Sequence, residues 1–94
     1  MPTGTRLKRI EDRVQQELST MLIREVNDPR LKQIFVTGVK IDRELTHANV
    51  YVSAVEGASR SGDILAGLNS ASGFLRRELS ARVELRSFPK LIFH

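Results

Sequence analysis

The 94-residue chain has 15 lysines and arginines against 11 aspartates and glutamates, contains no cysteine and is 40% hydrophobic. This composition predicts one small globular domain, and the lack of cysteine excludes disulfides and thiolate metal sites. No apolar run approaches the roughly 20 residues of a membrane span, and the polar N-terminus lacks the apolar core of a signal peptide. We therefore expect a cytoplasmic protein, or the mature stromal or matrix form of an organellar one, without a membrane partner.

The positive charge lies at the two ends of the chain. Seven basic and five acidic residues give +2 over residues 1–32, three and four give −1 over residues 33–68, and five and two give +3 over residues 69–94. This distribution favours a polyanionic partner such as nucleic acid. The alternative is a solvated surface that happens to be rich in arginine.

The first predicted element is an amphipathic helix that ends near Val26. Its apolar stripe comprises Leu7, Ile10, Val14, Leu18, Met21 and Leu22. Thr5 is its candidate N-cap, and Asp28 is disfavoured in a helix because Pro29 follows it.

Three arginines share the spacing of this stripe and are predicted to form a basic ridge beside it. The ridge comprises Arg6, Arg9 and Arg13. The alternative is ordinary surface charge, partly neutralised by Glu11, Asp12 and Glu17.

Two strands are predicted after turn chemistry at residues 27–30. The first covers Ile34 to Ile41, where Gly38 indicates a bulge or a close backbone approach. After a polar connection at residues 42–46, the second strand covers His47 to Val55 and alternates between a buried and an exposed face. The short connection predicts an antiparallel pair.

A polar loop over residues 56–62 is predicted to lead into a second helix, with Ser61 or Gly62 as its cap and Asp63 in its first turn. The apolar residues of that helix are Ile64, Leu65 and Leu68. Residues 83–93 are predicted to form a last extended segment, in which Pro89 indicates an edge strand or a strand that starts after it. Because strand character is still strong at His94, we expect a truncated or trimmed tail.

Residues 71–73, Ala-Ser-Gly, interrupt the second helix pattern. Glycine costs about 1 kcal/mol relative to alanine inside a helix, and Ser72 can bond nearby backbone, so a kink or break is predicted, with a second helical piece at about residues 74–81. A break would expose N–H groups that bind anions, directly before Arg76 and Arg77. The alternative is a glycine that allows another backbone to pack closely.

The predicted order is helix, strand, strand, helix, kink, helix, strand, which indicates a single two-layer α+β domain over residues 1–94, with the helices on one face of a three-stranded sheet. We expect its core to include Ile10, Val14, Leu18, Val50, Val52, Leu68, Leu75 and Leu79.

Catalytic chemistry is not indicated. Gly57 and Gly62 stand alone and form no phosphate-binding loop, and the two histidines, His47 and His94, lie far apart. The serines have no histidine at the spacing of a nucleophilic dyad. We therefore expect a protein that is not an enzyme and holds neither metal nor cofactor.

Four stretches, in order along nearly the whole chain, resemble signatures of the ribosome-binding factor A family. Residues 27–31 are similar to its Asp-Pro-Arg turn, and residues 42–53 to its second strand with the preceding turn. Residues 68–76 are similar to its Ala-x-Gly interrupted helix, and residues 85–93 to its final strand. Two features depart from the family: Lys90 replaces a usual acidic residue, and the sequence ends at the last predicted strand, where the family usually continues.

The resemblance implies a type II KH-like fold in which residues 71–73 take the place of the Gly-x-x-Gly loop. It implies a non-enzymatic factor that binds the small ribosomal subunit late in maturation, assists processing of its ribosomal RNA and supports growth in the cold. The implied partners are the small subunit with its ribosomal RNA and ribosome-associated maturation GTPases. We expect the free protein to be a monomer.

The candidate RNA-binding residues combine the basic ends with the helix interruption. They are Arg6, Arg9, Arg13, Arg30, Lys32, Ala71, Ser72, Gly73, Arg76, Arg77, Arg82, Arg86 and Lys90. The alternative function is a protein-interaction domain whose basic ends dock an acidic partner. Salt dependence separates the two, because phosphate contacts release counterions.

Overall fold

The computed structural model describes residues 4–55 and 57–94, which form two helices packed on a three-stranded sheet. The elements are α1 (Gly4–Arg24), a first 3-10 helix (Pro29–Leu31), β1 (Ile34–Ile41), β2 (His47–Ala54), a second 3-10 helix (Gly57–Arg60), α2 (Ser61–Arg82) and β3 (Lys90–Phe93). The predicted α+β class is confirmed. Neither α1 nor α2 is long and apolar enough to cross a membrane.

The sheet has the order β1-β2-β3. The β1–β2 pair is antiparallel, as predicted, whereas β3 lies parallel to β2. A parallel neighbour needs a long crossover, and α2 supplies it. The last strand starts directly after Pro89 and lies at the edge of the sheet, as the proline predicts. The extended segment predicted to begin at residue 83 is wrong in its first part, because residues 83–89 are irregular.

Of the two alternatives predicted at Gly38, a bulge or a close backbone approach, the structure confirms the bulge. Val36 pairs with Val52 and Gly38 pairs with Tyr51, which leaves Thr37 as the extra residue on β1. Such a bulge bends the strand and increases its twist.

The core lies between the helices and one face of the sheet. Six of the eight predicted core residues are buried, whereas Ile10 and Val52 are only half-buried. Ile10 lines an open cleft near the start of α1. Val52 lies beyond Val50, the last residue of β2 that pairs with β3, so its neighbours cover it incompletely.

The helix break predicted at residues 71–73 is wrong. All three residues lie within α2, which is one helix of 22 residues. Ala71 follows buried Leu68 by three positions and precedes buried Leu75 by four, so the core-facing stripe continues through the interruption. Gly73 is exposed and has no positive φ, so its cost is the intrinsic preference of about 1 kcal/mol, which core packing offsets.

The predicted caps are also corrected. Thr5 lies inside α1, which already includes Gly4 and ends at Arg24. The N-cap position of α2 belongs to Arg60, which makes no side-chain cap bond. Because the second 3-10 helix runs directly into α2, Ser61 and Gly62 lie in its first turn together with Asp63. Glu56, in the predicted loop, lies outside the described residues.

Candidate nucleic-acid interface

Arg76 joins α2 to the segment that precedes β3. Its Nη2 donates to the carbonyl oxygen of Phe88 at 2.8 Å, and its Nε donates to that of Pro89 at 3.3 Å. The sequence predicts Arg76 as an RNA contact, but the guanidinium is directed at two backbone carbonyls. Its position therefore depends on the fold, and it holds the start of β3 against the helix.

Two adjoining clefts meet at Arg76, and together we call them the basic groove. The first cleft is lined by Gly73, Arg76, Arg77, Ser80 and Phe88. The second cleft is lined by Glu44, Leu45, Thr46, Arg76, Arg86, Ser87, Phe88 and Lys90.

The basic groove carries exposed and unneutralised positive charge. Arg77, Arg86 and Lys90 are all exposed, and their side chains form no ion pair with any part of the chain that the structure describes. Among the described residues that line the groove, Glu44 is the one carboxylate. Exposed cations along a groove are suited to phosphate contacts, since no internal partner has to be displaced.

The predicted ridge on α1 is present, but its charge is reduced. Arg6, Arg9 and Arg13 are exposed and line a cleft together with Arg82 and Glu84. A salt bridge of 3.2 Å joins Arg13 Nε to Glu17 Oε1, as the surface-charge alternative holds. The ridge therefore contributes less free positive charge than its arginine count indicates.

Arg82 lies among three carboxylates. Its guanidinium nitrogens lie 2.6 Å from Glu25, 3.3 Å from Glu78 and 3.7 Å from Glu17. The hydrogen bond from Arg82 holds the pKa of Glu25 below its usual value, and the same bond raises the pKa of Arg82. Because Glu17 belongs to α1 and Glu25 follows it, Arg82 ties the end of α2 to α1. Its charge is balanced internally, so it is the predicted site residue least suited to phosphate.

Arg30 is also engaged internally. Its Nη2 lies 2.7 Å from Asp28 Oδ2, its Nε lies 3.1 Å from Oδ1, and its backbone N–H donates to Oδ1 at 2.9 Å. The side-chain hydrogen bond, followed by the backbone bond, lowers the pKa of the Asp28 carboxyl. Lys32 is exposed just after this turn. Neither cation lines the basic groove.

The three residues of the helix interruption lie in different surroundings. Gly73 lines the basic groove, whereas Ala71 lines a separate cleft beside Asp28. The Ser72 hydroxyl donates to the Asn69 carbonyl at 3.0 Å, so it bonds nearby backbone as expected, but the helix continues without the break that this bond was expected to accompany. Since α2 is continuous here, the anion site of free N–H groups that the break predicted is not formed.

The close backbone approach that was the alternative at Gly73 occurs instead at Gly67. A Cβ built on Gly67 would lie 3.0 Å from Leu31 Cδ2 and 3.4 Å from Arg30 Cβ. Gly67 thus lets the first 3-10 helix pack onto α2. The sequence signal that could have indicated this close packing is the position of Gly67, one residue before the buried Leu68.

Sequence reasoning missed the aromatic residues on the open face of the sheet. Phe35 and Tyr51 are 58% and 42% exposed, and the Tyr51 ring stacks on His94 with 4.8 Å between centroids. The strand alternation had placed Tyr51 opposite the buried face. The local sequence pattern does not indicate that β3 lies parallel to β2, and this arrangement brings His94 beside Tyr51.

The described residues contain no group of three or more His, Asp or Glu that could hold a metal ion. An antiparallel strand pair, a crossover helix and a parallel third strand, with a basic groove beside that helix, define a small KH-like domain. A family model described as ribosome-binding factor A matches residues 6–94, and the chain belongs to that family.

Individual relatives agree with this assignment. The chain is 46% identical to a ribosome-binding factor A of Acinetobacter baumannii over 103 aligned positions, which cover 100% of this chain and 77% of the relative. The crystal structure of ribosome-binding factor A from Thermus thermophilus superposes with a TM-score of 0.82 at 28% identity, covering 94% of this chain and 93% of that one. A homology model of the Thermus thermophilus factor, fitted into a cryo-EM map of its complex with 30S, gives a TM-score of 0.63 at 28% identity, covering 86% and 89%.

Proposed function

We propose that this protein binds the small ribosomal subunit through its ribosomal RNA and assists the late maturation of that subunit. Family membership supports the proposal, as does the similarity to a factor fitted into a 30S complex. We extend the proposal to processing of small-subunit ribosomal RNA, growth in the cold and a cytoplasmic location, which follow from the family resemblance.

The observation that carries the RNA part is the basic groove. Its exposed cations, Arg77, Arg86 and Lys90, lie along one side of α2 and the start of β3 without internal partners among the described residues. Phosphate contacts of this kind position a protein on RNA and make its affinity depend on salt.

The role proposed is one of binding. The family resemblance implies that the protein is a monomer when free and acts alongside ribosome-associated maturation GTPases. No catalytic step is assigned to any residue of the chain.

The test is co-sedimentation with isolated small subunits, mature and immature, at two salt concentrations. The variant is Arg77→Glu with Arg86→Glu, which reverses two exposed charges of the basic groove. The control is Arg24→Glu with Arg43→Glu, which makes the same change in net charge at two exposed residues that form no ion pair within the described chain. Arg60 is unsuitable for the control, because its Nη2 donates to the Arg30 carbonyl at 3.1 Å.

The groove variant is expected to lose affinity for small subunits. The slope of its log affinity against log salt concentration should also be shallower by about 1.4 to 1.8, if two phosphate contacts are lost. The control is expected to bind much as the unchanged protein does. Equal losses in the two variants would mean that overall charge alone matters. Affinity that does not vary with salt would favour docking to an acidic protein.

A further inference from the structure

The face of the sheet opposite the helices is not covered by any element among the described residues, and it carries aromatic rings and positive charge. Phe35 on β1 is 58% exposed and Tyr51 on β2 is 42% exposed. Lys40 and Lys90 are exposed and share this face, because they alternate with buried residues of their strands. None of the outward-facing residues of the three strands, all of which are described, is acidic.

Tyr51 and His94 form a stacked pair of rings on this face, and we call this pair the Tyr51–His94 platform. Their ring planes are inclined by only 19°, with 4.8 Å between centroids. A hydrogen bond of 2.9 Å between His94 Nε2 and Asn49 Oδ1 holds the imidazole in this orientation. Because both rings are held in place, little side-chain freedom remains to be lost when a third ring stacks on them.

Open space lies beside the platform. Gly38 pairs with Tyr51 across the strands, so a side chain at position 38 would point to the same face. A Cβ built there would meet nothing within 4 Å. Phe35 pairs with Ser53, which makes it the diagonal neighbour of Tyr51 at about 7–8 Å. The bulge glycine thus leaves a gap across from Tyr51.

We propose that this open face binds single-stranded RNA by stacking a nucleobase against the Tyr51–His94 platform, in the gap over Gly38, with Lys40 and Lys90 contacting phosphates. Every base has a flat π face, so stacking on exposed aromatic residues together with cations is the common way in which proteins hold single strands. The charge of the face is complementary to RNA, and its Lys90 also lines the basic groove. The inference rests on the proposed function and adds a second contact to it.

Tyrosine fluorescence tests the contact directly. Tyr51 is the only tyrosine of the chain, which contains no tryptophan, so the emission comes from the proposed site. The protein is titrated with single-stranded oligoadenylate of about ten nucleotides, within the usual site sizes for single strands. We expect saturable quenching by the oligonucleotide, and none by an abasic oligomer with the same number of phosphates. Equal binding of the abasic oligomer, or an unchanged emission, would overturn the proposal.

Three variants separate stacking from folding, with affinity measured by the anisotropy of a labelled oligoadenylate. Tyr51→Ser is expected to weaken binding roughly 5- to 150-fold, and Tyr51→Phe to preserve it. Gly38→Val fills the gap with a residue that favours strands, so it should weaken binding while the melting temperature is kept. Unchanged affinity in a folded Gly38→Val and in Tyr51→Ser would overturn the proposal.

The same variants distinguish this inference from the proposed function. Suppose that Tyr51→Ser leaves the affinity for oligoadenylate unchanged while the Arg77→Glu, Arg86→Glu variant loses affinity for small subunits. The proposed stacking site is then wrong, and the proposed ribosomal role stands. If the unchanged protein binds neither oligoadenylate nor small subunits, both are wrong. The platform is supported if Tyr51→Ser binds oligoadenylate more weakly while Tyr51→Phe binds it as tightly as the unchanged protein does.

Discussion

The buried carboxylate of Glu11 on α1 accepts a hydrogen bond from the backbone N–H of Ile41, the last residue of β1, at 2.8 Å. One turn further along α1, the Gln15 side-chain amide donates to the Val36 carbonyl at 3.2 Å. β1 is an edge strand, and alternate backbone groups of an edge strand point away from the sheet. Two polar side chains of α1 therefore satisfy part of that edge. In the surface-charge alternative Glu11 helps to neutralise the arginine ridge, but its carboxylate is buried and bonds to β1 instead.

Removing the Glu11 carboxylate should destabilise the fold. Glu11→Ala leaves the Ile41 N–H without its partner in a buried site, which costs about 1–3 kcal/mol in the free energy of unfolding. Glu11→Gln keeps an acceptor oxygen and should lose less. The measurement is urea denaturation. Asp12→Ala is the control, because the exposed Asp12–Lys8 pair contributes little. Equal stabilities of Glu11→Ala and Asp12→Ala would contradict this role of Glu11.

Two glycines of α2 should respond oppositely to alanine. Gly73→Ala is expected to raise the free energy of unfolding by up to about 1 kcal/mol, because the added methyl group meets nothing within 4 Å and the residue is helical. Gly67→Ala places the methyl group 3.0 Å from Leu31 Cδ2, and Leu31 is buried, so crowding of about 1–3 kcal/mol should exceed the helix gain. Thermal melts compare the two variants. A Gly73→Ala protein less stable than Gly67→Ala would contradict the continuous helix.

Alanine variants of two neighbouring arginines, Arg76 and Arg77, should differ in stability, because Arg76 has a structural role and Arg77 lies on the surface. Arg76→Ala removes charge-assisted bonds to two carbonyls and should cost about 1–2 kcal/mol. Arg77→Ala removes an exposed side chain and should change stability by less than about 0.5 kcal/mol. Arg76→Lys should recover only part of the loss, since an ammonium lacks the planar fork. Equal unfolding midpoints for the two alanine variants would show that Arg76 does not hold β3 against α2.

Asp42 should contribute to stability above acidic pH. Its Oδ1 accepts from the His47 N–H at 2.9 Å and from the Thr46 N–H at 2.7 Å. The bond from His47, followed by that from the Thr46 hydroxyl, lowers the pKa of Asp42 below its ordinary value of 3.8. A carboxyl whose pKa is lowered in the folded state stabilises the fold above its unfolded pKa, and this contribution is lost as the pH falls through the folded pKa.

Asp42→Asn should therefore be less stable than the unchanged protein near neutral pH. The difference should close as the pH falls below about 3.8, because the unchanged carboxyl then becomes neutral as well. Denaturation at a series of pH values measures the difference. Asp12→Asn, at an exposed acid of α1, is the control. If the difference in stability between Asp42→Asn and the unchanged protein widens at acidic pH, the pH dependence assigned to Asp42 has the wrong sign.

The type and order of the helices and strands follow from the amino-acid sequence alone, apart from the break predicted within α2 and the early start predicted for the last strand. The stripe through Val14 and Leu18 predicts α1, and the bounds of β1, the antiparallel β1–β2 pair and the Gly38 bulge follow from local pattern. These features depend on periodicity, turn length and backbone preference, which act over a few residues. The candidate cations were found in the same way, because basic residues can be counted without a structure.

The packing of the folded chain determines which of those cations remain available and how the aromatic residues are used. Arg82 is balanced by three carboxylates and Arg76 is directed at two carbonyls, because residues distant in sequence meet when α2 packs. The predicted break at Gly73 failed for the same reason, since buried Leu68 and Leu75 favour one continuous helix over the local preference of a glycine. The Tyr51–His94 stack likewise exists because the α2 crossover places β3 parallel to β2. Long-range packing sets these contacts, and no local pattern encodes them.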